Sequence, residues 1–205
     1  MLTLTKSSNI GRCTRKRDAM MMDTLTHSQS IIITLDVDAF IFDKLRTIVD
    51  AGFSMVELNG ADQSILNSAL HNFPLLRIGA GNVTNIQQLE EYHQAGAHFI
   101  TSPGFLPAIA QTALIYSINY LPGIATFSEA IEAMAVGCQT VRPYPATLAF
   151  CTLLNKYLPL LRLFPAEINK EETAQFLHLP AVAAVSILNP NINELQTLNT
   201  RAAMI

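Results

Sequence analysis

The chain has 205 residues, of which 50% are apolar and only 14% are charged. An average soluble domain carries roughly 25% charged residues, so this composition predicts extensive burial in a large core, in subunit contacts, or in both. The net charge of −3 argues against a nucleic-acid partner. The chain also lacks an apolar run of the roughly 18 residues that a membrane span requires.

The first thirty residues differ from the rest of the chain. They are polar, include five Lys or Arg side chains, and lack the apolar segment of a signal peptide. We expect residues 1–30 to be a disordered tail, with a basic docking arm as the alternative. The methionines at 20–22 point to a natural start at that place. Residues 31–205 are expected to form a single domain.

From Ile31 onward, short β-branched strands alternate with segments that are apolar at helical spacing. Strands, some with their turns, are expected at 31–36, 53–58, 75–81, 98–104, 118–124, 138–142, 160–165 and 182–188. Helices are expected at 39–52, 61–73, 85–97, 105–117, 127–137, 147–157, 171–179 and 191–203. Eight strand–helix pairs with short connections predict an α/β fold, a compact single-domain (β/α)8 TIM barrel. An open doubly wound sheet is the competing fold, which the count of eight disfavours.

The carboxyl ends of the strands are where such barrels place their active sites. The candidate residues there are Glu57, Asn82, Pro103, Arg142 and Ser186. None of the histidines or cysteines has the spacing of a metal site. Cys138 and Cys151 are expected to be buried free thiols in a reducing compartment.

Five segments carry a family pattern: VEL (56–58), GAGNV (79–83), QAGAHFITSPG (94–104), LPGIATFSEAIEAMAVG (121–137) and VRPYPA (141–146). They resemble the 2-keto-3-deoxy-6-phosphogluconate / 4-hydroxy-2-oxoglutarate aldolase family. This resemblance implies a class I aldolase on a (β/α)8 barrel that needs no cofactor, acts on a pyruvate-derived keto acid, is cytoplasmic and usually assembles as a homotrimer.

Arg142 is the main departure from the family pattern. The resemblance places Arg142 at the position of the lysine that forms a Schiff base with the keto acid. A Schiff base needs a neutral amine, whereas arginine stays protonated above pH 12 and its delocalised nitrogens are poor nucleophiles. Glu57 matches the family glutamate that moves protons through a water. The family arginine that binds the substrate carboxylate corresponds to Ala61.

The phosphate-binding positions also depart from the family. The resemblance aligns the paired glycines after the last two strands with AEI (166–168) and AVS (184–186), so that Ser186 is kept and the glycines are lost. Side chains there block close backbone approach to a phosphate, and Glu167 adds a negative charge. Asn82 replaces the family threonine and keeps its hydrogen-bonding capacity.

Two functions remain open on the sequence alone. In the first, the chain lacks ordinary aldolase activity, and Arg142 holds a small carboxylate or neutralises Glu57. In the second, the chain is an active lyase that cleaves a 2-keto-4-hydroxy acid to pyruvate and an aldehyde with another amine or by another mechanism. Lys170 is the lysine expected nearest to the strand ends, pointing to solvent. We expect Arg142 within salt-bridge reach of Glu57, Glu167 or a bound anion, with Asn82 beside them.

Overall fold

The computed structural model describes residues 30–202, and the predicted N-terminal tail lies outside them apart from Ser30. The strands are β1 (Ile31–Asp36), β2 (Met55–Asn59), β3 (Arg77–Gly81), β4 (Phe99–Thr101), β5 (Tyr120–Leu121), β6 (Gly123–Ile124), β7 (Thr140–Pro143), β8 (Arg162–Leu163) and β9 (Val185–Leu188). The α-helices are α1 (Ile41–Asp50), α2 (Gln63–Asn72), α3 (Ile86–Gln94), α4 (Pro107–Ile115), α5 (Phe127–Val136), α6 (Leu148–Tyr157), α7 (Thr173–Leu177) and α8 (Ile192–Ala202). A 3-10 turn at Lys170–Glu172 precedes α7.

The elements follow the predicted order, but several are shorter than predicted. Polar caps set the helix starts: the side chains of Asp62, Asn85 and Thr147 each accept a backbone N–H of the first turn. The predicted fifth strand is divided into β5 and β6 at Pro122, because proline has no N–H to donate to a strand ladder. The predicted sixth strand is therefore β7. The predicted seventh strand, 160–165, contracts to β8.

Every strand pairing in the described residues is parallel. One sheet has the order β5-β4-β3-β2-β1-β9, and a second has the order β6-β7-β8. The fold is therefore an α/β fold with a curled parallel sheet in the form of a half-barrel, flanked by the helices. The predicted parallel α/β architecture is confirmed, whereas the complete eight-stranded barrel stays a prediction.

Two apolar clusters lie on opposite faces of the curled sheet. Alternate strand residues face opposite sides, so Ile31 and Ile33 pack towards the helices while Ile32 joins an inner cluster. The inner cluster consists of Ile32, Met55, Phe99, Leu121, Phe164 and Ala184. Two residues further along their strands, Thr34, Glu57 and Thr101 occupy the same inner face. The strand period thus brings buried polar side chains together near the carboxyl ends of the strands.

No helix among residues 30–202 combines the length and the apolar character that crossing a bilayer would require.

Candidate functional site

A buried ion pair joins the two residues that the sequence singled out most strongly. Arg142, on β7, donates from Nη1 to Oε2 of Glu57, on β2. Their side chains are only 7% and 1% exposed. A buried charge is tolerated only when a partner compensates for the lost hydration, and each of these residues supplies that partner to the other. Arg142 was expected within salt-bridge reach of Glu57, Glu167 or a bound anion, and the structure shows the contact with Glu57.

The backbone around β6 and β7 positions Arg142 for this contact. Gly123 is the register partner of Arg142, and the N–H of Arg142 donates to the carbonyl of Pro122 at 2.8 Å. A Cβ on Gly123 would collide with the carbonyl of Pro103 and would come within 2.7 Å of the nitrogen of Gly104. Glycine at 123 therefore lets the loop after β4 pack against β6.

Glu57 has a second hydrogen-bond partner, which the sequence analysis did not assign to the site. The hydroxyl of Thr101, on β4, donates to Oε1 of Glu57 at 3.0 Å. Both oxygens of the Glu57 carboxylate are therefore engaged, one by Thr101 and one by Arg142. The available signal was the two-residue strand period, which puts Thr101 on the inner face with Phe99.

Asn59 and Asp36 extend the site towards solvent. The side-chain amide of Asn59 donates to Oδ1 of Asp36 at 3.2 Å, and that of Asn189 donates to Oδ2 of Asp36 at 2.8 Å. Asn189 has a φ of 44°, a left-handed conformation that asparagine adopts more readily than most residues. The Asp36–Asn189 contact joins residues 153 positions apart in sequence, so local patterns could not reveal it.

Of the other predicted site residues, Ser186 has a hydrogen bond within the fold and Asn82 has none. Ser186 is buried, and its hydroxyl accepts the N–H of Glu167 at 3.0 Å. Asn82 is exposed with a φ of 61°, and its side chain makes no hydrogen bond to another described residue. The predicted placement of Asn82 beside the ion pair therefore has no supporting contact. Pro103 is exposed in the loop after β4.

Glu167 and Tyr144 add to the charge at the strand ends. The negative charge of Glu167 is the main cause that raises the pKa of the Tyr144 phenol, with burial and a hydrogen bond from the phenol to the Glu167 carboxylate as further causes. The positive charge of Arg142 acts in the opposite direction. We define the strand-end site as Asp36, Glu57, Asn59, Arg142 and Glu167. It contains three carboxylates and one permanent cation.

The lysines within residues 30–202 have other partners. Lys44 pairs with Asp38 at 2.6 Å, and Lys156 lies 5.0 Å from the centre of the Tyr157 ring. Lys170 lies at the 3-10 turn before α7, where its ammonium is 2.9 Å from Glu194 Oε1 and 3.9 Å from Glu171 Oε1. No described lysine is bonded to the strand-end site. Lys6 and Lys16 lie outside the described residues.

The thiols and the acidic groups add no metal centre to the described part of the chain. Burial raises the pKa of the Cys138 thiol to about 11 and that of the Cys151 thiol to about 12. Both cysteines are free, as expected. Within residues 30–202, no three His, Cys, Asp or Glu side chains come together as a metal-binding group.

Comparison with known proteins gives the same family from several directions. A family model described as KDPG and KHG aldolase matches residues 23–191. The 2-dehydro-3-deoxy-phosphogluconate aldolase of Treponema pallidum is 31% identical over 112 residues, which are 52% of this chain and 53% of that enzyme. The enzyme of the same name from Pseudomonas aeruginosa is 26% identical over 174 residues, which are 80% of this chain and 79% of that enzyme. The chain thus spans about half of the first relative and most of the second.

Solved structures agree on the fold. The 2-keto-3-deoxy-6-phospho-gluconate aldolase from Zymomonas mobilis superimposes with a TM-score of 0.77 at 19% identity, covering 88% of this chain and 95% of that one. The KDPG aldolase from Legionella pneumophila, whose structure holds pyruvate captured as a covalent carbinolamine, gives 0.75 at 22% identity, covering 85% and 94%. At these identities the structures support the fold alone. Because the family model matches most of its length, this chain belongs to the KDPG and KHG aldolase family.

Proposed function

We propose that this protein is an aldolase-family member that has lost Schiff-base catalysis and holds a small carboxylate on Arg142. The observation that carries the proposal is the buried ion pair between Arg142 and Glu57. A guanidinium held beside a carboxylate stays protonated, so the position that the family uses for its amine nucleophile has no lone pair to offer.

The hydrogen bonds of Glu57 support the same conclusion. A general base must direct an oxygen lone pair at the proton that it takes from the substrate or from a water. In this protein Oε1 accepts a hydrogen bond from Thr101 and Oε2 accepts one from Arg142, so both oxygens are held in fixed contacts within the fold. Glu57 is therefore proposed to act as the fixed counter-ion of Arg142, although it stands at the position of the family's acid/base residue.

Arg142 retains donors for a ligand. Guanidinium carries five N–H groups in a planar fork that matches a carboxylate. The bond to Glu57 uses Nη1. Among residues 30–202, the hydrogen bond recorded for the guanidinium is this one to Glu57, while Nε and Nη2 have none. The proposed site for a small keto acid or another carboxylate is these remaining N–H groups, beside the ion pair.

Phosphate binding is disfavoured in this proposal. The N–H of Glu167 donates to the Ser186 hydroxyl, so it is not directed at a phosphate. The carboxylate of Glu167, which interacts with Tyr144, would repel the doubly negative phosphate. The segments 166–168 and 184–186 lack the glycines that the family has there. Their side chains therefore favour an unphosphorylated ligand.

We further propose that the half-barrel closes into a complete (β/α)8 barrel. Strand β9 pairs with β1, so the last strand returns to the first. Between β8 and β9, Ala183 N donates to Leu163 O and Ser186 N donates to Pro165 O, both at 2.9 Å. At the interruption at Pro122, the N–H of Arg142 still donates to the Pro122 carbonyl. These bonds supply the pairing that closure needs.

The proposed assembly is a homotrimer in the cytoplasm. Exposed apolar side chains at Ile115, Tyr157 and Leu160 are 77%, 58% and 81% exposed, which supports burial between subunits. The number three rests on the family resemblance, because exposed area does not set a subunit count. The two free buried thiols support a reducing compartment. Light scattering at micromolar concentration tests the assembly, and a monomer mass would exclude the trimer.

The second candidate function is an active lyase on a 2-keto-4-hydroxy acid. Family membership and the retained Glu57 favour it. It requires a nucleophile other than residue 142. Lys170 is the described lysine predicted nearest to the strand ends, and its side chain is already engaged in an ion pair with Glu194 at 2.9 Å.

Aldol cleavage distinguishes these functions. Pyruvate release is measured with 4-hydroxy-2-oxoglutarate and with 2-keto-3-deoxy-6-phosphogluconate for the wild type, for Arg142→Lys, and for the control Arg46→Lys, which makes the same change at an exposed pair with Asp43. We expect no turnover by the wild type or the control. We expect little turnover by Arg142→Lys, because this variant still has Ala61 in place of the family arginine and still lacks the family's phosphate-binding glycines. Wild-type turnover, or vigorous turnover by Arg142→Lys, would refute the proposal.

A further inference from the structure

Two buried oxygens near Glu57 have no hydrogen-bond partner. They are Oδ1 of Asn59 and Oγ1 of Thr34, whose residues are 7% and 0% exposed. Most buried polar atoms in proteins are paired, because an unpaired one keeps the full cost of losing its water. Such atoms therefore mark a place where a ligand or an ordered water completes the bonding.

Both oxygens belong to the inner face that carries Glu57. Thr34 is the register partner of Glu57 between β1 and β2. Oδ1 of Asn59 and Oε1 of Glu57 lie against the same face of Gly81, where a Cβ would collide with the first and come within 2.7 Å of the second. The absence of a side chain at 81 thus lets two acceptor oxygens approach one another.

The orientation of the Asn59 amide follows from its other contact. Its nitrogen donates to Oδ1 of Asp36 at 3.2 Å. In the structure the unpaired atom is therefore the amide oxygen, and only a hydrogen-bond donor can satisfy it.

The charges of the strand-end site also favour a donor. Its three carboxylates are opposed by the single cation of Arg142, whose Nη1 is engaged by Glu57. Asp36, Arg142 and Glu167 all act electrostatically on Tyr144, which places them in one neighbourhood. A ligand with only negative charge would meet a net negative site, whereas a positive group beside its carboxylate would be attracted.

We propose that the strand-end site binds a small α-amino acid in preference to the corresponding 2-keto acid. The inference rests on the proposed function, because the ligand carboxylate again binds the free N–H groups of Arg142. The ammonium group donates to Oδ1 of Asn59 and faces the carboxylate of Asp36. A keto oxygen accepts hydrogen bonds only, so it leaves Asn59 unpaired. A hydroxyl supplies one donor and no charge.

Calorimetry with L-alanine, L-lactate and pyruvate tests this order. The three ligands share a three-carbon acid and differ at C2, which carries an ammonium, a hydroxyl or a keto group. We expect alanine to bind at least about tenfold more tightly than pyruvate, a ratio equal to about 1.4 kcal/mol, with lactate between them. Pyruvate binding as tight as alanine overturns the inference, and so does the absence of alanine binding at tens of millimolar.

Two variants test the position of the ammonium. Gly81→Ala places a methyl group against Asn59 and Glu57 and should abolish the preference for alanine. The control Gly104→Ala adds the same methyl group where nothing lies within 4 Å and should preserve it. Asn59→Leu removes the unpaired oxygen at nearly constant size and should equalise alanine and pyruvate, which keeps the test decisive if Gly81→Ala does not fold. A preference that survives in Asn59→Leu overturns the inference.

The same titrations show whether a failure concerns this inference alone or the proposed function as well. Borohydride added to the pyruvate sample traps any Schiff base, and intact mass reports it. A trapped adduct refutes the proposed function together with this inference. Equal affinities without an adduct refute this inference alone.

Discussion

Replacing Glu57 with leucine should destabilise the protein strongly. The substitution leaves the Arg142 guanidinium 7% exposed and without its partner, and it removes the acceptor of the Thr101 hydroxyl. Breaking a buried ion pair on one side costs about 3–5 kcal/mol. Solvent screening is small at this burial, so we expect a value in that range. For a chain of this size, that loss corresponds to a fall in Tm of roughly 10 °C.

The double variant tests whether the cost comes from the orphaned charge. In Glu57→Leu/Arg142→Met both charges are replaced by apolar groups, and a well-packed apolar replacement of a buried pair is often nearly neutral. We expect the double variant to be more stable than either single variant, with a coupling energy of about 3 kcal/mol. Asp43→Leu breaks the exposed pair with Arg46 and serves as the control. It should cost less than about 1 kcal/mol.

Urea unfolding followed by circular dichroism measures these differences from the midpoint and the slope. Protein concentration is kept fixed, because the stability of an oligomer depends on it. The buried ion pair would be contradicted if the stability losses of the two single variants simply added in the double variant. It would also be contradicted if the unfolding free energy of Glu57→Leu were within about 1 kcal/mol of the wild type.

Three further predictions concern ligands, thiols and a helix start. In calorimetry, a phosphorylated keto-deoxy acid should bind no more tightly than pyruvate, and clearly tighter binding would contradict the role given to Glu167. Cys138 and Cys151 should resist iodoacetamide at pH 8 until guanidinium unfolds the chain, because burial raises their thiol pKa values to about 11 and about 12. Peptide mapping of the native protein after labelling tests this, and alkylation of either cysteine would contradict it. Glu129→Ala should cost about 1 kcal/mol at pH 7. The Glu129 pKa is lowered by backbone N–H groups of Ala125 and Thr126, so this contribution is present above the unfolded pKa near 4.5 and disappears as pH falls through the folded value. An equal cost at pH 3 would contradict that assignment.

The order of the elements and the Arg142–Glu57 pair were predictable from the sequence. The first follows from the change between strand and helix periods, which is a local property. The second follows because the carboxyl ends of parallel strands meet at one edge, and a buried guanidinium requires an acceptor. Both arguments depend on burial, which residue type and spacing indicate well.

The details of the strand-end site were not predictable in the same way. Asp36, Asn59 and Asn189 meet through side-chain hydrogen bonds between strands that are distant in sequence. Asn82 was expected beside the ion pair, and its exposure and left-handed backbone were not predicted. Ser186 stays a predicted substrate-binding residue, and the bond by which its hydroxyl accepts the Glu167 N–H was not predicted. Such contacts depend on backbone angles and register, which residue type does not determine.

The measurement closest to the central claim is incubation with pyruvate and borohydride, followed by intact mass and peptide mapping. A Schiff base between pyruvate and a lysine would be reduced to a stable adduct, whereas a guanidinium forms none. We predict that the wild-type mass stays unchanged and that no lysine peptide is modified. A pyruvate adduct mapped to Lys170, or to any other lysine of the chain, would contradict the claim that the Schiff-base chemistry has been lost.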